Sequence, residues 1–141
     1  MLDETASGAD RPTERIIQQR IRNRVIEYLG LAASFDEQRE YERNVPIAHV
    51  PYEVINQWGD NFPQGPEAEF ERSTAFPPDE IAAVTEFHTI WNAVAKAIPD
   101  DWPTLEAVQA MPAWDRLRRA AASAGEVFAR RGTMPEDHGV S

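Results

Sequence analysis

Two stretches of this chain repeat apolar side chains at intervals of three and four residues, and nothing else in the sequence limits its fold as strongly. In 81–98, Ile81, Val84, Phe87, Ile90, Trp91, Val94, Ala95, Ala97 and Ile98 share a broad helical arc. Thr85, Glu86, Thr89, Asn92 and Lys96 occupy the narrow remainder. A helix with so wide an apolar face needs neighbours on more than one side. In 114–131, Trp114, Leu117, Ala121, Ala124, Val127 and Phe128 form one stripe, with small residues that let another helix approach closely. Arg130 and Arg131 followed by Gly132 suit a helix C-terminus in both charge and cap.

A third long helix is expected from Pro12 or Thr13 to about Leu31, burying Ile17, Ile21, Val25, Tyr28 and Leu29. Shorter elements sit between the long ones. Ser34 and Glu37 have capping-box spacing, which starts a helix over 35–43. The apolar run 45–50 is bracketed by Pro46 and Pro51 and reads as an extended connector. Pro51 opens a helix over 52–58 that Gly59 ends, and Thr104 caps a helix over 105–111. Pro99, Asp100 and Asp101 form a polar turn from which Trp102 returns to the core. Pro112 opens the last long helix.

The expectation is an all-α, compact single-domain bundle of three long helices and two or three short ones, with a long acidic aromatic loop. With 141 residues the chain suits one domain. Residues 12–132 form the helical globular domain, with 1–11 and 133–141 as flexible tails.

Charge narrows the function classes. The net charge is −10, and residues 35–80 hold eleven acids against Arg39, Arg43 and Arg72, a net −8. Such a field repels phosphate backbones and anionic lipids and steers basic proteins, besides keeping a chain in solution. The five arginines at 11, 15, 20, 22 and 24 read as the only basic cluster. Arg20 and Arg24 fall on one side of an apolar stripe and Arg15 and Arg22 on the other, whereas a groove-reading helix gathers its basic side chains on one surface. They read as side chains covering the edges of that stripe, and no nucleic-acid partner is expected. No run of about 18 apolar residues and no secretory leader is seen, so no membrane association and a cytoplasmic location are expected.

Recognised chemistry is absent. The chain has no cysteine, hence no disulfide, thiolate metal site or thiol nucleophile. It carries no phosphate loop, dinucleotide fingerprint, zinc-protease helix or serine elbow. His49, His88 and His138 are scattered, and the acids at 60, 67, 69 and 71 lack the calcium-loop pattern with its central glycine. No catalytic residue, metal or cofactor is assigned.

The stretch from Gly59 to Pro78 is the least regular. It mixes Gly59, Pro63, Gly65 and Pro66 with Trp58, Phe62, Phe70 and Phe76 and with several acids. Its aromatics either anchor a packed loop or form a contact patch ringed by acids. The reading is a non-enzymatic protein-interaction or regulatory domain that meets a basic partner through Trp58, Asp60, Phe62, Glu67, Glu69 and Glu71. The alternative is a small-molecule binder or enzyme with an inter-helix pocket holding His88 or His49. A homo-oligomer follows if an apolar face of 81–98 or 114–131 stays exposed.

Overall fold

A computed structural model describes residues 13–62, 65–66 and 75–139. Among these residues there are six helices and no strand: α1 (Glu14–Ala32), α2 (Phe35–Asn44), α3 (Val50–Asn61), α4 (Pro78–Ala97), α5 (Leu105–Gln109) and α6 (Pro112–Ala129). Their starts follow from local side-chain chemistry. Thr13, Ser34 and Thr104 each accept the backbone N–H three residues on, at 3.2, 3.1 and 3.2 Å. His49 does the same for α3 through Nδ1, 3.4 Å from the Tyr52 amide. Proline in the first turn opens α3, α4 and α6, where a missing N–H costs nothing. Past the end of α6, Gly132 adopts φ 72° and its N–H closes on the Phe128 carbonyl at 2.9 Å, an αL cap open to glycine.

Helix α6 packs on α4 and on α1, while α1 also meets α2 and α3. The core runs through these contacts as Val25, Leu29, Val84, Phe87, Trp114, Leu117 and Phe128, all essentially inaccessible. Gln38 ties the short helices in. Its carboxamide oxygen accepts from Trp114 Nε1 at 2.9 Å and Gln109 Nε2 at 3.2 Å, and its nitrogen donates to the Leu31 carbonyl at 3.1 Å. Every polar atom of a fully buried glutamine is thus used, as interior burial demands.

Three local expectations change. Helix α3 runs two residues past Gly59, beside the Trp91 indole, where a Cβ would lie at an ordinary contact distance of 3.5 Å from the ring. The glycine lies inside the helix and does not end it. The connector at 45–50 is a turn, with the Ala48 N–H on the Val45 carbonyl at 2.9 Å and Pro46 in its second position. That turn thrusts Ile47 outward.

The largest change concerns α1, whose polar side is also buried. Gln18, Gln19, Arg22 and Asn23 are inside, whereas Ile17 is partly exposed. The covering comes from residues 133–139, expected as loose, which run along the helix. Gln19 Nε2 donates to the carbonyls of Pro135 and His138 at 2.9 and 2.8 Å, and Arg20 Nε to that of Glu136 at 2.9 Å. Asn23 donates to the Met134 carbonyl at 2.7 Å and accepts the Met134 N–H at 2.8 Å. Arg22, expected at the edge of the stripe, is fully buried and forks onto Glu80 of α4 at 2.7 and 2.8 Å. Its remaining N–H groups reach the carbonyls of Gly132 and Phe128, and its guanidinium lies 5.3 Å from the centre of the Phe128 ring.

Tyr28 gives the core a sign of its own. Its hydroxyl donates to the Val54 carbonyl at 2.6 Å, and burial pushes its ionisation far above the ordinary tyrosine value. A raised folded-state pKa stabilises the fold below the unfolded value and is lost as pH rises past it. Above about pH 10, the unfolded chain ionises this phenol and the folded chain does not, so stability should fall by about 1.4 kcal/mol per pH unit from this group. Denaturant melts from pH 9 to 11 should show that slope in the native chain and a shallower one in Tyr28→Phe.

Candidate functional site

The residues singled out in the sequence separate into three environments. Trp58 is fully buried and Phe62 nearly so, packed at ring-centre distances of 4.9 Å from one another and, for Trp58, 4.7 Å from Phe87 and 5.3 Å from Tyr28. They anchor the end of α3 to α1 and α4, the first of the two roles open to them from sequence. Asp60 is exposed in the last turn of α3, at the edge of a polar hollow of about 400 Å³ that Arg24, Glu27, Gln57 and Asn61 also line. Glu67, Glu69 and Glu71, like Phe70, lie outside the described residues.

The two histidines of the alternative reading are not brought together. His88 accepts the Trp58 indole N–H at 3.0 Å through Nδ1 and stacks on Trp91 with ring centres 5.4 Å apart. A ring nitrogen that accepts from an indole is unprotonated, so His88 serves here as the polar terminus of a buried tryptophan. His49 caps α3 and touches the rim of Trp102, with ring centres 6.3 Å apart. Among the described residues no group of three or more histidine and acidic side chains could hold a metal ion, and no helix is long and apolar enough to cross a membrane.

A different exposed surface emerges. Ile47, at the tip of the turn between α2 and α3, is 97% exposed, with Val45 and Tyr52 also open to solvent. Tyr52 meets Trp102 edge to face, ring centres 5.0 Å apart at 70°. Trp102 has φ 51°, the left-handed region that bulky residues avoid. This conformation costs about 1–3 kcal/mol and persists only where surrounding contacts over-determine it. Here the Trp102 N–H closes a turn on the Pro99 carbonyl at 3.1 Å, while Tyr52 and His49 hold the indole. The turn therefore sets a large aromatic ring beside Tyr52, with Asp100 and Asp101 exposed immediately before it.

Sequence reasoning missed this cluster because its parts are separated by about fifty residues and only folding unites them. A signal was present in the two prolines around Ile47, which keep that run out of a helix interior. On α6, Asp115 shows how the surface charges are managed elsewhere. The hydrogen bond from Arg118, aided by the charges of Arg118 and Arg119, holds its carboxyl below the usual range.

Apolar and aromatic side chains bordered by acids can bury hydrocarbon against a partner while attracting its positive charges. Comparison with known proteins gives no match, whether to a family model, to a curated protein or to a solved structure.

Proposed function

We propose that this chain is a non-enzymatic interaction domain whose exposed α3 side, from Ile47 and Tyr52 to Asp60, docks a basic protein partner. The observation that carries this reading is the exposure of Ile47 and of Tyr52, which packs edge to face on the half-buried Trp102, with exposed Asp100 and Asp101 just before that ring in the chain. Burying a side chain such as Ile47 against a partner contributes about 1.5–3 kcal/mol, enough to make it an anchor. Tyr52, Asn56 and Asp60 recur every four residues and so share one face of α3. Glu67, Glu69 and Glu71 follow in the chain and extend the acidic side of the same proposal. Trp58 and Phe62 contribute to it by fixing the helix from beneath rather than by contact.

The test is comparative capture with the full chain as bait. Binding of the recovered partner should weaken by about tenfold or more for Ile47→Asp or Tyr52→Ala, and fall with added salt. Asp100→Asn with Asp101→Asn, and neutralisation of Glu67, Glu69 and Glu71, should chiefly slow association. Ile47→Asp, and Asp100→Asn with Asp101→Asn, alter exposed side chains, so their melts should stay within about 0.5 kcal/mol of the native chain, whereas Tyr52→Ala also removes a contact that holds Trp102 and should cost more. Unchanged binding across all these variants would remove the proposal.

A further inference from the structure

The arginines of α1 take no part in the docking face on α3. Arg15 and Arg20 instead border the slot in which residues 133–139 lie. Arg15, Gln19 and Asn23 recur every four residues and share one side of α1. Asn23 grips Met134 by both main-chain groups, donating to its carbonyl at 2.7 Å and accepting its N–H at 2.8 Å. Gln19 donates to the carbonyls of Pro135 and His138 at 2.9 and 2.8 Å. Arg20 forks onto the Glu136 carbonyl, with Nε at 2.9 Å and Nη2 at 2.7 Å. Gly139 lies close against the Arg15 stem, where a Cβ would come within 3.3 Å. The segment thus passes Asn23 first, then Gln19, then Arg15, opposite to the direction of the helix.

Two side chains of the segment add selectivity. Met134 packs against the core, and the Glu136 carboxylate accepts from Asn23 Nδ2 at 2.9 Å. Asp137 follows, so the segment brings two acids to a helix side that carries Arg15 and Arg20. The slot therefore holds a peptide by its main chain and selects for an apolar residue followed two places later by an acid.

Slot and occupant are held with different firmness. Helix α1 is fixed by Val25, Tyr28 and Leu29 in the core and by Arg22 on Glu80. The occupant hangs on Gly132 at φ 72°, rests Met134 on the core, and leaves Glu136, Asp137, His138 and Gly139 exposed. Such a segment opens locally, at a fraction of the free energy that unfolds the helix beneath it. As it leaves, its carbonyls turn to water, while Gln19, Arg20 and Asn23 keep their places as donors on the helix.

We propose that this side of α1 is a binding site for a short acidic peptide segment of another protein, patterned apolar, any residue, acidic, and that residues 134–136 occupy it in cis until such a segment displaces them. Recognition through the main chain makes the exchange even-handed, because a bond lost to one carbonyl is regained from another. The tether favours the chain's own segment only through its effective concentration, about millimolar for a short flexible link. A partner overcomes that advantage with contacts of its own beyond the slot.

The experiment is NMR of the isotope-labelled full chain, titrated with an unlabelled, end-blocked peptide of residues 133–139. The competing segments are identical, so at about 10 mM peptide most molecules should carry the free one. The amide signals of 134–139 should then move to free-segment positions while those of Val25 and Leu29 stay. A peptide that keeps Met134 and Glu136 and has alanine elsewhere should act within about threefold of the native peptide, since main-chain acceptors are unchanged. One carrying Met134→Asp and Glu136→Arg should act at least about tenfold more weakly. In a second arm, the full chain with Met134→Asp and Glu136→Arg should bind the tagged native peptide at least about tenfold more tightly than the native chain does, because its own segment competes less. Adding Gln19→Ala and Asn23→Ala should abolish that binding, with circular dichroism checking the helices. Segment signals that stay in place at about 10 mM peptide, or that respond equally to all three peptides, overturn the proposal. The native-chain arm decides alone if a variant fails to fold.

Discussion

Replacing Glu80 with alanine is expected to cost about 3–5 kcal/mol, a large part of the stability of a chain this size. The size of the effect comes from what remains. Arg22 is completely buried and loses both of its carboxylate hydrogen bonds, keeping only backbone carbonyls for an intact positive charge. Arg131, whose Nη1 stands 3.7 Å from Glu80 and donates to the Ala75 carbonyl at 3.1 Å, loses part of its environment too. Urea unfolding of the single variant and of Arg22→Met with Glu80→Leu distinguishes a stabilising pair from an orphaned charge. The double variant should lie much closer to the native chain than Glu80→Ala, because apolar side chains of similar volume avoid the desolvation of both ions. Equal losses in the two would mean that the cost resides in packing alone.

Trp58→Ala should lose a comparable amount, about 3–5 kcal/mol, from the cavity left by a fully buried indole. Trp58 packs against Tyr28, Phe62 and Phe87, which belong to three different parts of the chain, so the space cannot close by moving one side chain. Trp58→Phe restores most of the volume but removes the donor to His88. It should therefore fall between the native chain and Trp58→Ala, by about 1–3 kcal/mol from the native value. Thermal melts in parallel with partner binding would separate the two roles considered for this residue. A variant that stays as stable as the native chain yet loses binding would return Trp58 to the contact surface.

The long helices were legible because their periodicity and their caps agree. Ser34 and Thr104 make the side-chain bonds expected of caps, and Thr13, one of two starts the sequence offers for α1, proves to be its cap. Gly59 misled because a glycine inside a helix costs only about 1 kcal/mol relative to alanine, so the residue alone does not mark an end. The polar side of α1 misled for a related reason. Periodicity reports where hydrocarbon sits, whereas Gln19, Arg22 and Asn23 are buried through hydrogen bonds to segments more than fifty residues away. Of the candidate surface, Asp60 is exposed, while Trp58 and Phe62 lie inside. Ile47 and Tyr52 owe their interest to Trp102, a neighbour that no local pattern could supply.

The strip of chain along α1 has one more property. Gln19, Arg20 and Asn23 meet it mainly through carbonyl oxygens and one N–H, groups that nearly every residue type possesses. Apart from Glu136, whose carboxylate accepts from Asn23 at 2.9 Å, its identity is thus almost free as far as these bonds are concerned, but its register is not. A substitution at 135 or 137 leaves each carbonyl where it was, whereas one inserted residue after 132 displaces all of them together. The helix, with three polar side chains at fixed heights, acts as a ruler for the end of the fold, which is specified by counting rather than by composition.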